Sequence, residues 1–288
     1  MQNSFDLTVE VVPPCGWDAS NLLASIDTIK RLSFSGFSVA TNPVAKPRMD
    51  ALSFCRVLME RYGKPATLHI TTRDHNRLSL QGLLWGARAL GITMVLAMTG
   101  DMVPLTEKER TTAVRDISLP RLITMCREAG LRTGVVMNPF TDEARLEASI
   151  SRLKEKQEAG AQFVVTQPVY TQTDARILAD AIDEVGLPAT LGILPLRTPK
   201  HARFLHEKVG GIEVPDEVRR QMLTANDPIS QGASQAKELL NYAKTRFSGA
   251  CLMPPFDHFD VMDQILTPTT PLPDIVAEPP VTPRPALS

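Results

Sequence analysis

The chain has 288 residues, 43% of them hydrophobic and 22% charged, with a formal net charge of −1. This composition suits a globular protein of one large domain or two small ones. It offers no Lys/Arg block for a nucleic-acid or anionic-membrane surface, and no apolar run near the roughly 20 residues of a membrane helix.

Met1 to Asp6 lack the basic and apolar regions of a signal peptide. Cys15, Cys55, Cys126 and Cys251 lie far apart without a CxxC pair. Neither a zinc site nor a disulfide framework is expected, and reduced thiols in a cytoplasmic protein are the default.

The first predicted element is a strand over Leu7–Val12, rich in branched residues and stopped by Pro13 and Pro14. Alternation puts Glu10 on one face with Thr8 and Val12, and Leu7, Val9 and Val11 on the other. With both faces covered, Glu10 is a carboxyl group in a mostly apolar environment, which must be paired, protonated or used. On an edge strand it would instead lie in solvent. Asp18 is placed to cap a helix through Leu22, Leu23, Ile26 and Ile29.

The beat then repeats. Strands are predicted at Gly36–Ala40, Ala66–Thr71, Thr93–Met98, Thr133–Met137, Gln162–Thr166, Ala189–Leu194 and Gly249–Met253. Between them lie helices at Met49–Arg61, Arg77–Leu90, Ala113–Ala129, Asp142–Ala159, Thr173–Val185 and Pro199–Lys208, an extra helix at Val214–Thr224, and one at Ser230–Thr245. Eight strands alternating with helices over about 265 residues predict a parallel sheet closed as a (β/α)8 TIM barrel in a single domain, residues 1–266. The absence of GxGxxG weighs against an open dinucleotide-binding sheet. Thr267 to Ser288 contains seven prolines and no helical pattern, and is expected to be a disordered or extended tail.

In a barrel the C-terminal strand ends converge on one mouth. The polar residues there are Glu10, Thr41, Asn42, His69, Thr71, Thr72, Asp101, Asn138, Gln167 and Arg197. Singly, each has an ordinary structural explanation: a satisfied core histidine, a turn cap, a strand terminator, a solvated cation. Their convergence argues for a site. The five histidines and four cysteines lack metal-ligand spacing, and neither a P-loop nor a GxSxG elbow occurs.

At these residues the chain resembles the methylenetetrahydrofolate reductase family. The matching pieces are Val9–Pro14, Asn42-Pro43, Leu68–Thr71, Ala97–Asp101, Lys154–Ala161, Thr166–Tyr170, Gly192–Leu196 and Leu252–Phe256, in family order over about 1–266. The resemblance implies a flavin-dependent oxidoreductase of one-carbon metabolism. It would reduce 5,10-methylenetetrahydrofolate to 5-methyltetrahydrofolate, with FAD carrying a hydride from NAD(P)H or another donor. It makes Glu10 the general acid that helps open the folate's five-membered ring, and sets Asp101 against the pterin and the developing cation. Gln167 would bind pterin or nicotinamide. Thr41, His69, Thr99, Gly100, Asp101, Val136 and Lys156 would hold the flavin.

The chain departs from the family at Thr99, where some members place an Arg near the FAD phosphate. It departs also at Glu155, which puts a negative charge where those phosphates are expected. The Val136–Pro139 region lacks the Tyr that follows strand 5 in many members. Flavin-free relatives pass hydride directly from nicotinamide to folate, and that reading stays open. So do a methyltetrahydrofolate-binding methyltransferase, an accessory subunit of a catalytic reductase, a homo-oligomer and a partner redox subunit.

Overall fold

The computed structural model describes residues 5–104, 111–140 and 142–267. Eight parallel strands close into a barrel in sequence order: β1 Asp6–Val11, β2 Gly36–Val39, β3 Ala66–Thr71, β4 Met94–Met98, β5 Arg132–Met137, β6 Phe163–Thr166, β7 Ala189–Ile193 and β8 Gly249–Leu252. The expected (β/α)8 barrel is therefore the fold. Closure runs through β1 and β8, with Thr8 opposite Cys251 and Val9 opposite Leu252. A closed sheet has no edge, so the solvent-exposed placement open to Glu10 in the sequence disappears.

Around the sheet lie α1 Ser20–Asp27, α2 Ala51–Tyr62, α3 Arg77–Ala89, α4 Leu119–Glu128, α5 Glu143–Glu158, α6 Gln172–Asp183, α7 Pro199–Lys208, α8 Asp216–Thr224, α9 Pro228–Arg246 and α10 Val261–Leu266. Leu7, Val9 and Val11 of β1, Leu68 and Ile70 of β3, and Ala250 and Leu252 of β8 join one apolar core beneath these helices. The alternate residues on each strand, Thr8 and Glu10, Thr67 and His69, and Cys251, are left for the barrel axis.

Three helical expectations need correction. Ala19, not Asp18, is the N-cap of α1, although the Asp18 carboxylate accepts from the Ser20 amide at 2.9 Å. The helix expected from Ala113 begins at Leu119, capped by Ser118, because Pro120 fits only a first turn. The short α10 is not among the expected elements; it follows the double proline and buries Val261, Met262 and Ile265. The proline-rich tail lies outside the described residues beyond Thr267.

β6 and β7 pair briefly, Val164 with Ala189 and Val165 with Thr190, and the Thr166 hydroxyl then accepts the Gly192 amide at 2.9 Å. A Cβ on Gly192 would stand 2.3 Å from the Thr166 carbonyl oxygen and 3.2 Å from the Gln167 carbonyl carbon. Gly192→Ala should therefore force the two strands apart, at a cost of about 1–3 kcal/mol. For a domain of this size that lowers Tm by several degrees. An unchanged melting curve would show that the strands yield freely.

Candidate active site

A cavity of about 490 Å³ opens at the C-terminal mouth of the barrel, within the size range of small-molecule and cofactor sites. Glu10, Thr41, His69, Thr99, Gly100, Asp101, Val136, Lys156 and Gln167 all line it. The residues singled out from the sequence are thus brought together in one place. Thr71 and Asn138 of the wider rim also line it.

Glu10, half-buried, lines this cavity, and its carboxyl has no hydrogen-bond or ionic partner among the described residues. Burial alone lifts its pKa from 4.5 to about 7, because the charged form has lost water and gained nothing in return. Beside it in register stands Ser38, whose Oγ is 2.7 Å from His69 Nε2. Burial lowers the His69 pKa to about 4, so the imidazole is neutral across the physiological range. Cys251 faces the same interior, its thiol pushed up to about 12 by burial and then by the Glu10 charge. These three groups are polar and mostly uncharged between about pH 4 and pH 7.

The rim differs. Asp101 is exposed, and its Oδ2 accepts the Val44 amide at 2.5 Å. Thr41 donates to the His69 carbonyl oxygen at 2.5 Å, tying the β2 end to β3. Next to the β4 end, at β5, Lys156 of α5 donates to the Val136 carbonyl oxygen at 2.6 Å. Its pKa is lowered, by burial first and by Arg152 second, with Glu155 opposing. Arg152, one helical turn before Lys156, lines the cavity and forms no ion pair among the described residues. The wall therefore carries two neighbouring cations, a poor arrangement alone and a good one beside an anion.

Several expectations are corrected. Glu155 is exposed and does not line the cavity; one residue from Lys156 is 100° round the helix. Asn42 is turned away, its amide donating to Asp74 at 3.1 Å. The Thr72 hydroxyl reaches the Thr99 carbonyl oxygen at 3.5 Å instead of the cavity. Arg197 pairs with Asp260 at 3.3 Å. Sequence reasoning missed Ser38, Cys251 and Arg152, though each carried a signal. Ser38 alternates with Val39 on its strand, Thr8 and Cys251 face inward at the β1–β8 closure, and Arg152 precedes Lys156 by four. Among the described residues there is no cluster of three or more His, Cys, Asp or Glu placed for a metal, and no helix long and apolar enough to cross a membrane.

The family model described as methylenetetrahydrofolate reductase matches residues 1–241. A probable methylenetetrahydrofolate reductase (NADPH) of Caenorhabditis elegans is 26% identical over 206 residues, 67% of this chain but 31% of that protein. The 5,10-methylenetetrahydrofolate reductase of Salmonella typhimurium is 25% identical over 209 residues, 70% of this chain and 69% of its own length. The chain thus spans under a third of the first relative. A Clostridium thermocellum protein, described as binding two copies of 5-methyl-5,6,7,8-tetrahydrofolic acid, superposes with a TM-score of 0.67 at 15% identity. The match covers 91% of this chain and 93% of that one, a likeness of fold.

The raised Glu10 pKa fixes a pH dependence of stability. The folded protein keeps a proton that the unfolded chain releases above 4.5. This contribution is complete below about pH 4.5 and is lost as pH rises through about 7. At about 1.4 kcal/mol per pKa unit the loss is at most about 3.5 kcal/mol. Glu10→Gln should remove that slope from the Tm profile and melt above the wild type at pH 8. An identical slope in the variant would mean that Glu10 is not buried in its charged form.

Proposed function

The chain belongs to the methylenetetrahydrofolate reductase family, and we propose that it reduces 5,10-methylenetetrahydrofolate to 5-methyltetrahydrofolate with a hydride drawn from reduced nicotinamide through FAD. The observation that carries this reading is Glu10, a carboxyl group protonated near neutrality on the floor of the cavity that Asp101 and Gln167 also line.

The residues fit a flavin dinucleotide. The cavity has the volume of a cofactor site, and the Arg152–Lys156 wall offers cations to a diphosphate. Thr41, His69, Thr99, Gly100 and Val136 would hold the remainder. Bound there, the flavin supplies hydride acceptance from nicotinamide and hydride donation to the folate.

The chain's own groups do the rest. Glu10 donates its proton to the amine nitrogen released as the folate's five-membered ring opens to an iminium, and is left as a carboxylate that takes up a proton from solvent for the next turnover. A general acid with its pKa near working pH suits this task. The Asp101 carboxylate faces the developing cation and stabilises it through space. Gln167 orients the pterin or the nicotinamide through its amide. Two carboxyl groups take two roles because one is buried and the other stands at the rim.

Thr99, uncharged where some family members carry Arg, favours a second reading in which hydride passes directly from nicotinamide to folate. The absorbance spectrum of the purified protein separates the two: yellow with releasable FAD, or colourless and active.

If Glu10 serves only the folate step, Glu10→Gln should leave reduction of bound flavin by its donor near the normal rate. Reoxidation by methylenetetrahydrofolate should slow by about 10² to 10⁴, the usual contribution of a positioned acid. Asp101→Asn should slow the same half. Stopped-flow absorbance resolves the halves, and equal slowing of both, or of neither, would refute the role. In a flavin-free enzyme the Glu10 variant should keep nicotinamide binding and lose folate-dependent oxidation.

Charge reversal on α5 tests the cation wall. Arg152→Glu should weaken FAD binding to apoprotein, or nicotinamide dinucleotide binding in a flavin-free enzyme, by about tenfold at low salt and less at high salt. Glu155→Lys, off the cavity, should change it little. The reverse ranking in a titration would place the phosphates elsewhere.

A further inference from the structure

The loops after β2, β3 and β4 are joined by a buried ion pair to which the reaction just described gives no part. The Arg73 and Asp74 side chains are 5% and 19% exposed. Arg73 Nε donates to Asp74 Oδ1 at 2.5 Å, and a second guanidinium nitrogen donates to Oδ2 at 2.8 Å, a two-pronged fork. Its remaining reach goes to two main-chain oxygens, Asn42 O at 2.9 Å and Asp101 O at 3.2 Å. Asp74 also accepts from the Asn42 amide at 3.1 Å and the Thr71 hydroxyl at 3.2 Å.

Buried ion pairs contribute little net stability once desolvation is counted, and in some proteins their role is to specify a geometry. The geometry specified here is unusual. Asn42, Val44 and Ala45 have φ of 41°, 50° and 55°, all left-handed. For a β-branched residue such as Val44 this region is a steric outlier, held only where the surroundings over-determine it. The turn brings the Val44 amide to Asp101 Oδ2 at 2.5 Å. Behind Asp101, Gly100 has φ +82°, and a Cβ there would lie 3.1 Å from the Arg73 Cβ. Asp101 is itself exposed, and the Val44 amide is the hydrogen-bond partner of its carboxylate among the described residues.

We infer that Arg73 and Asp74 are positioning residues that aim the Asp101 carboxylate into the cavity, Arg73 by holding its carbonyl and both by fixing the turn whose amide grips its side chain. This rests on the reductase reading, in which Asp101 faces the folate.

The test is a double-mutant cycle on methyltetrahydrofolate formation from methylenetetrahydrofolate and reduced nicotinamide, using Arg73→Lys, Asp101→Asn and the pair. Lys keeps the charge and loses the fork. Arg73→Lys should lower kcat by about 10²-fold, the effect of a misplaced reacting group. The nicotinamide dissociation constant should be unchanged. Asp101→Asn should cost less than about threefold more in the Arg73→Lys background, since the carboxylate is already misaimed. Multiplying losses, an unchanged kcat, or nicotinamide affinity falling in step with kcat would overturn the inference. If circular dichroism finds Arg73→Lys unfolded, Asp74→Asn takes its place in the cycle; both unfolding would make the pair purely structural and end the proposal. Asp101→Asn without effect in the wild-type background would sink the reductase role of Asp101 and the positioning role with it, whereas multiplying losses sink positioning alone.

Discussion

A carboxyl group stands on the inside of a closed sheet with no cation paired to it among the described residues. Glu10 occupies that position because β1 is the strand at which the barrel closes, and because Leu7, Val9 and Val11 on its other face are claimed by the helical core. A slip of one residue would exchange the two sets and place the carboxyl group in hydrocarbon. Apolar burial on one side therefore enforces the polar burial on the other. The unpartnered carboxyl lowers its cost by keeping its proton to near neutrality. Structural constraint and chemical readiness are here the same fact, since an acid that holds its proton at neutrality is an acid available for transfer.

The rest of the cavity is arranged around that neutral floor. His69 is uncharged and Cys251 remains a thiol, so neither supplies an ion to draw the Glu10 proton away. Charge appears only at the mouth, with the Asp101 carboxylate on the β4 side and Arg152 and Lys156 on α5. A ligand carrying both a cationic centre and an anionic group meets a complementary charge for each. The barrel sets this polarity by placing each group on a different strand end or helix, an economy available because all eight ends meet at one mouth.

The sequence carried the architecture well. The alternation of apolar strands and amphipathic helices predicts the barrel, and β3 and α7 fall at their predicted bounds, because their limits are written in local chemistry: Pro65 before β3, Thr198 and Pro199 opening α7. The α4 start was misplaced only where polar residues before Pro120 imitate a helix. The site was legible where strand ends could be counted, and less so where a loop chooses its own path. Asn42 and Arg197 sit next to strand ends in the sequence, yet Asp74 and Asp260 capture them. No propensity predicts a left-handed Val44. The turn is held by Arg73 at the Asn42 carbonyl, 31 residues away, and by Asp101 at the Val44 amide, 57 residues away, and such contacts are invisible to a local reading.

The departures from the family pattern look different once residues are placed in space. On the sequence, Thr99 removes a cation and Glu155 adds an anion, and both weaken a phosphate site. In the fold, Glu155 points away from the cavity while Arg152, absent from the motif comparison, lines it four residues before Lys156. Two cations that line the cavity sit on α5. A phosphate responds to the field at its own position, whichever strand or helix supplies it, and two cations one turn apart supply it as well as a single Arg on a strand end. Loss of a charged residue from a motif therefore says little about a phosphate site until the neighbouring helix that lines the same cavity has been read with it.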